Sequence, residues 1–179
     1  MGRALRLARA SSLRLPDAPT RVDHDPNQAA ESIVRGYVNK PTITEHETNR
    51  AFYRPSDDTV DIPLRGQFTD SDAFYDVLFH ELGHSTGHAS RLNRDVANTY
   101  GHHAYSKEEL VAEMTSAFLC QSAGINSTMP NHGAYIEGWL SALNKDRKML
   151  VWAAGKAQAA ADYILGIKPA DTHQGIVEQ

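Results

Sequence analysis

Apolar residues at positions 74, 77, 78 and 82 recur at the three- and four-residue spacing of one helix face. The stretch TDSD at 69–72 supplies cap candidates and early acids ahead of that stripe, and Gly87 follows it. The pattern therefore predicts a helix from about Ser71 to Thr86. Upstream, Ala30, Ile33, Val34 and Tyr37 predict a short amphipathic helix running to about Val38. Asp25 is its expected cap, with Pro26 at the first position and Gln28 completing a capping box. Between Pro41 and Leu64 the pieces PTITE, AFYRP and TVDIPL are rich in β-branched and aromatic residues. HETNR and PSDD separate them, which predicts a small antiparallel meander.

Downstream, Ser106 precedes KEELVAEMTSAFLCQSAG, whose Leu110, Met114, Ala117 and Phe118 make one apolar face. Glu109 stands at the capping-box position of this helix and Gly124 ends it. After INSTMPNHG, the segment from Ala134 to Leu165 is helical in pattern and breaks near Asn144 and Asp146; Gly166 and Pro169 stop it. Trp139 and Trp152 fall at apolar helical positions and are expected in the core. Arg91 to Gly101 is polar and aperiodic, a loop of the kind that lines sites. The fold class expected is α+β, a small antiparallel sheet packed against one long helix and several further helices. Residues 25–168 form the domain, 1–24 a flexible basic segment or linker, and 169–179 a frayed tail.

Composition narrows the function. With 179 residues the chain suits one domain with a real core. A net charge of −4 argues against broad binding to a phosphate backbone, so DNA binding by this chain alone is not expected. The single cysteine, Cys120, excludes an internal disulfide and fits a reducing, cytoplasmic setting; inside the apolar run AFLC it reads as a packed core thiol. No apolar run is long enough to span a bilayer. The start, MGRALRLARASSLRLP, holds four arginines and no acid, as a transit peptide does, but lacks the apolar centre of a secretory signal; it reads as a linker.

The chemistry lies in FHELGHSTGH. His80, Glu81 and His84 meet the spacing H-E-x-x-H, a match that chance would give in about two of every hundred chains of this composition. The surroundings therefore have to decide. On a helix, His80 and His84 share one face and can pinch a single ion, whereas Glu81 points beside it. Catalytic zinc needs a third protein ligand and an open position. His88 is four residues further on, but on a continuing helix it would stand about 12 Å from His80 along the axis, and Gly87 interrupts the helix before it. His88 is expected to support the site or the structure around it. Glu109 and Glu113 lie four apart on the next helix, where paired like charges are costly unless a cation relieves them. Glu109 is assigned as third ligand and Glu113 as a hydrogen-bond acceptor from a ligating imidazole, with Glu108 a competitor. One Zn2+ per chain follows. His102, His103 and Tyr105 lie just before that helix, and His103 or Tyr105 is a candidate oxyanion helper.

Taken together, AFYRPSDDTVDIP, FYDVLFHELGHSTGHASRLNR, AYSKEELVAEMTSAFLC, AYIEGWLSAL and AAGKAQAAADYILG resemble the zincin-like metallopeptidase domain of ArdC-type antirestriction proteins and related polyvalent proteins of plasmids and phages. The resemblance runs from about Pro41 to Gly166. It implies a gluzincin-like arrangement in which a glutamate from a downstream helix completes the site and an acid four residues later supports it, matching Glu109 and Glu113. Full-length relatives carry an N-terminal domain for single-stranded DNA, for which there is no room before Asp25, so that property is not carried over. The expected activity is zinc-dependent hydrolysis of a peptide or protein, with Glu81 taking a proton from the attacking water and returning it to the leaving amine. TVDIPL is the strand expected to offer an edge to the peptide. The alternative is a non-catalytic antirestriction binding module with a structural or vestigial zinc site. The oligomeric state stays open.

Overall fold

The computed structural model describes residues 25–94, 107–125 and 147–168. In chain order these form α1 (Gln28–Gly36), β1 (Thr42–His46), β2 (Phe52–Arg54), β3 (Thr59–Pro63), a 3-10 turn (Arg65–Gln67), α2 (Ser71–Ser85), α3 (Lys107–Ser122) and α4 (Arg147–Leu165). The α+β class and the helices α1 to α3 follow the sequence pattern. No helix among the described residues is long and apolar enough to cross a membrane.

The cap of α1 differs from expectation. The side-chain oxygen of Asn27, not of Asp25, accepts from the N–H groups of Ala29 and Ala30, each at 3.1 Å. Asn27 also donates its own N–H to Ser71 Oγ at 3.1 Å and its amide to Asp72 Oδ1 at 3.3 Å, tying α1 to the start of α2. Both residues have a short side chain suited to capping; the bonds to α2 select Asn27.

The sheet is mixed rather than an antiparallel meander, with strand order β1-β3-β2. β2 and β3 form the expected antiparallel hairpin, but β1 lies on the far side of β3 and runs parallel to it. The reason is burial. β3 presents Val60 and Ile62 to the core, both fully buried, while β1 is largely exposed, so β3 takes the centre and β1 the margin. A consequence is that TVDIPL, expected to offer an edge, has a neighbour on each side; among the described strands the open edges belong to β1 and β2.

The main core packs Tyr53, Val60 and Ile62 of the sheet against Phe74, Tyr75, Leu78, Phe79 and Leu82 of α2, closed by Leu119 and Cys120 of α3 and Ala161 and Ile164 of α4. Cys120 is the buried thiol the sequence suggested; burial first, and the Asp76 carboxylate second, push its pKa up to about 12. A smaller cluster joins Leu110 and Val111 of α3 to Ala153 and Ala157 of α4. Trp152 departs from expectation: it is 43% exposed, with Lys107 Nζ 5.6 Å from its ring centroid. The α4 face that meets α3 carries alanines, and Trp152 stands just outside that stripe. Trp139 lies outside the described residues.

Two contacts set the relation of α2 to its neighbours. Arg91, whose side chain is 1% exposed, pairs both terminal nitrogens with the Asp58 carboxylate at 2.8 and 2.7 Å. It also donates to Ser85 O at the end of α2 and to Asn39 O. Asp58 sits in the hairpin turn at φ 53 and accepts a further bond from Tyr53 Oη. One guanidinium thus fixes the hairpin to the end of α2. The second contact is steric. A Cβ added to Gly83 would lie 3.1 Å from Ala112 Cα, 3.2 Å from Ala112 O and 3.2 Å from Thr115 Cβ. The helices α2 and α3 cross at backbone contact.

Two outcomes follow from these contacts. Gly83→Ala gains about 0.5–1 kcal/mol of helix propensity but overpacks against backbone at a cost of about 1–3 kcal/mol. Thermal melting is expected to show net destabilisation; an unchanged or raised Tm would mean that α3 moves away freely. For Asp58, the Arg91 hydrogen bonds hold the carboxyl below its ordinary range despite partial burial. Because folding lowers this pKa, the stability from the pair is complete above about pH 3.9 and is lost as pH falls through the folded value. Asp58→Asn is expected to lower Tm at pH 7, with the gap to the parent narrowing towards pH 3. A gap independent of pH would contradict the ion pair.

Candidate metal centre

The residues that the sequence singled out on two helices converge. His80 and His84 stand one turn apart on α2, their Nε2 atoms 3.1 Å from one another and their rings edge to face. From α3, Glu109 places Oε2 at 3.5 Å from His80 Nε2 and Oε1 at 3.6 Å from His84 Nε2. One donor atom from each of His80, His84 and Glu109 lies within 4.8 Å of the other two. Two nitrogens bonded tetrahedrally to one zinc ion would be about 3.3 Å apart. The observed spacing and the nitrogen–nitrogen–oxygen donor set fit such an ion.

Carboxylates also face the outer side of both rings. Glu113 Oε1 lies 3.4 Å from His80 Nδ1, and Glu108 Oε1 lies 3.7 Å from His84 Nδ1. An acceptor at Nδ1 favours the tautomer whose Nε2 lone pair points inward, the form a metal requires. Hydrogen bonds from His80, then His84, hold Glu109 well below the usual carboxylate range. Burial opposes a charged His84, but Glu108 and Glu109, together with the charge of Glu81, lift its pKa to about 9. Burial likewise opposes ionisation of Glu108, yet His84 and Arg94 outweigh it and keep the carboxyl below its ordinary value. The centre is rich in carboxylates and suited to a cation.

Glu81 lies beside this donor group and outside it. It is buried, and its Oε2 accepts the main-chain N–H of Tyr53 at 2.7 Å. Tyr53 is paired in register with Val60 of β3, and its N–H turns away from that ladder to reach α2. The sheet therefore orients the glutamate of H-E-x-x-H through a main-chain donor, which no side-chain pattern could reveal.

His88 does not join the group. α2 ends at Ser85, and His88 turns into the following loop, where its Nδ1 pairs with Ser90 Oγ at 2.8 Å. The supporting position expected of it is filled by Glu108, because the end of the helix removes His88 from the face that carries His80 and His84. Arg94 is a participant the sequence reading missed. It forks onto Glu108 at 2.6 and 3.0 Å, and both side chains are buried. Its only sequence signal was a cation in the polar loop after the histidines. His102, His103, Tyr105 and Ser106 lie outside the described residues.

This fold, with a histidine pair and a glutamate on successive helices, defines the class. The chain belongs to the zincin-like metallopeptidase family, whose model matches residues 28–156. It is similar to the DNA primase TraC of Escherichia coli, with 43% identity over 141 residues that cover 79% of this chain and 10% of TraC. The uncharacterized protein y4eC of Sinorhizobium fredii is 41% identical over 120 residues, covering 66% of this chain and 39% of y4eC. The chain thus spans well under half of these curated relatives. Among solved structures it is similar to the antirestriction ArdC protein of plasmid R388. The Mn(II)-bound form matches with a TM-score of 0.61 and 30% identity, covering 86% of this chain and 57% of ArdC. The metal-free form matches with a TM-score of 0.60 and 33% identity, covering 79% and 50%. The resemblance to ArdC-type proteins drawn from the sequence is therefore upheld.

The bond between Glu81 and Tyr53 has a stability consequence. Glu81→Gln keeps an acceptor for the Tyr53 N–H, whereas Glu81→Leu leaves that buried donor without it, at about 1–3 kcal/mol. Denaturant unfolding is expected to rank Glu81→Gln above Glu81→Leu by that margin. Equal stability of the two variants would show that the Tyr53 N–H finds another acceptor.

Proposed function

We propose that this chain is a zinc-dependent peptidase domain, with His80, His84 and Glu109 as ligands and Glu81 as general base. The observation that carries this reading is the position of Glu81: a carboxylate buried beside the donor group, outside it, and held at one oxygen by Tyr53 N–H. A purely structural site needs no anchored base. A divalent cation in this donor set supplies Lewis-acid chemistry, polarising a peptide carbonyl and making nearby water more acidic.

The chain's own residues supply the rest. Glu81 takes the proton of the attacking water on the oxygen that Tyr53 leaves available, then delivers it to the departing amine. Glu113 and Glu108 face Nδ1 of His80 and His84 and so favour the tautomers whose Nε2 lone pairs are directed inward. His103 or Tyr105 remains our candidate for steadying the developing oxyanion. The substrate we propose is a peptide or protein, reached along β2, the edge strand that contacts Glu81. Two imidazoles and one carboxylate favour zinc; the Mn(II) in the related ArdC structure makes manganese the second metal to test. A part in antirestriction is proposed from the same relative. The net charge of −4 leads us to expect weak DNA binding by this chain at physiological salt.

The test compares the parent with His80→Ala, His84→Ala, Glu109→Ala and Glu81→Gln. Metal analysis is expected to give about one zinc per parent chain, lost in the first three variants and retained in Glu81→Gln. Incubation with unfolded proteins and restriction-system proteins, read by mass spectrometry, is expected to show cleavage that falls at least about a hundredfold in Glu81→Gln. Equal cleavage by both would remove Glu81 from the mechanism. If neither cuts, yet both protect DNA from restriction in cells, the domain is a non-catalytic binding module.

A further inference from the structure

We infer that Arg94 is a positioning residue of the metal centre, acting through Glu108 to hold the histidines of α2 and the glutamate of α3 in register. This rests on the reading of His80, His84 and Glu109 as ligands. Arg94 Nη2 donates to Glu108 Oε1 at 2.6 Å and Nε to Oε2 at 3.0 Å, a two-point grip on one carboxylate. The guanidinium also reaches α2: Nη2 donates to Gly83 O at 2.9 Å and Nη1 to Thr86 Oγ1 at 2.7 Å. Gly83 immediately precedes His84, and Glu108 immediately precedes Glu109. One planar cation therefore joins the neighbours of two proposed ligands that lie on different helices.

The geometry reaches the ring as well as the backbone. Glu108 Oε1, the oxygen gripped by Arg94 Nη2, is the one that faces His84 Nδ1 at 3.7 Å. A carboxylate free to rotate would not direct the imidazole in this way. Stability alone gives little reason for the pair, because Arg94 and Glu108 are only 7% and 6% exposed and desolvation offsets much of their attraction. Positioning gives a reason, and it calls for arginine. Lysine would keep the charge but could not reproduce a planar fork that serves Glu108, Gly83 and Thr86 together.

The experiment loads the full chain with Co2+ and records its visible d–d spectrum and its dissociation constant by chelator competition. Parent, Arg94→Lys, Arg94→Met and Glu108→Gln are compared, with the fold monitored by circular dichroism. Loss of an outer partner of a metal ligand weakens binding about 10- to 100-fold. Arg94→Met is expected to fall in that range with an altered cobalt spectrum and a retained fold, and Arg94→Lys in between. Parental affinity and spectrum in both Arg94 variants would overturn the inference while leaving the metal site standing. Should Arg94→Met not fold, Arg94→Lys and Glu108→Gln decide: weaker binding with an altered spectrum supports the inference, and parental values overturn it. A parent that binds no cobalt would overturn the metal reading and this one together.

Discussion

The crossing of α2 and α3 at Gly83 is the constraint on which the centre depends. Any side chain there would meet the backbone of Ala112, so the glycine lets the two helices approach as closely as their main chains allow. That separation brings Glu109 within 3.6 Å of both inward nitrogens and Glu113 within 3.4 Å of His80 Nδ1. Ser116, two turns from Glu109, closes the other side of the same crossing by donating to Asp76 O at 2.8 Å. A glycine inside a helix is ordinarily a liability. Here it lies between the two histidines and makes room for the partner that carries the carboxylates.

Close approach concentrates charge, and the electrostatics must be answered. Glu81, Glu108, Glu109 and Glu113 gather around two imidazoles, and each carboxylate has a specific counterpart. Glu81 takes the Tyr53 N–H, Glu108 takes Arg94, and Glu109 and Glu113 face the histidines. Arg91 performs a parallel task outside the centre by fixing the hairpin, and hence the strand that carries Tyr53, to the end of α2. Arg91 and Arg94, both in the segment that follows α2, thus divide the work: one secures the sheet, the other the next helix. The donor group between α2 and α3 is surrounded by carboxylate oxygen and suits a cation.

Much of this was legible in the sequence because it is local. The i, i+4 spacing that stacks His80 on His84 also stacks Glu109 on Glu113, and helical periodicity is stated by the chain itself. What escaped was non-local. A main-chain donor such as Tyr53 N–H has no residue signature, and Arg94 reads as any loop cation until its partners are known. The parallel pairing of β1 with β3 could not be inferred from strand-like pieces whose alternation suits either neighbour. Asn27 and Asp25 were locally similar as caps, and only Ser71 and Asp72 chose between them. Trp152 was placed in the core by hydrophobicity, whereas α4 packs through its small residues and leaves the indole at the margin.

The most direct measurement of the central claim is a crystal structure of the zinc-soaked chain with anomalous diffraction recorded across the zinc absorption edge. The expected result is one strong peak within about 2.0–2.2 Å of His80 Nε2, His84 Nε2 and a Glu109 oxygen. Glu81 should remain outside bonding distance, still accepting the Tyr53 N–H. A peak that recruits Glu81 or His88 in place of Glu109, or none at this crossing of α2 and α3, would contradict the assignment of ligands and base.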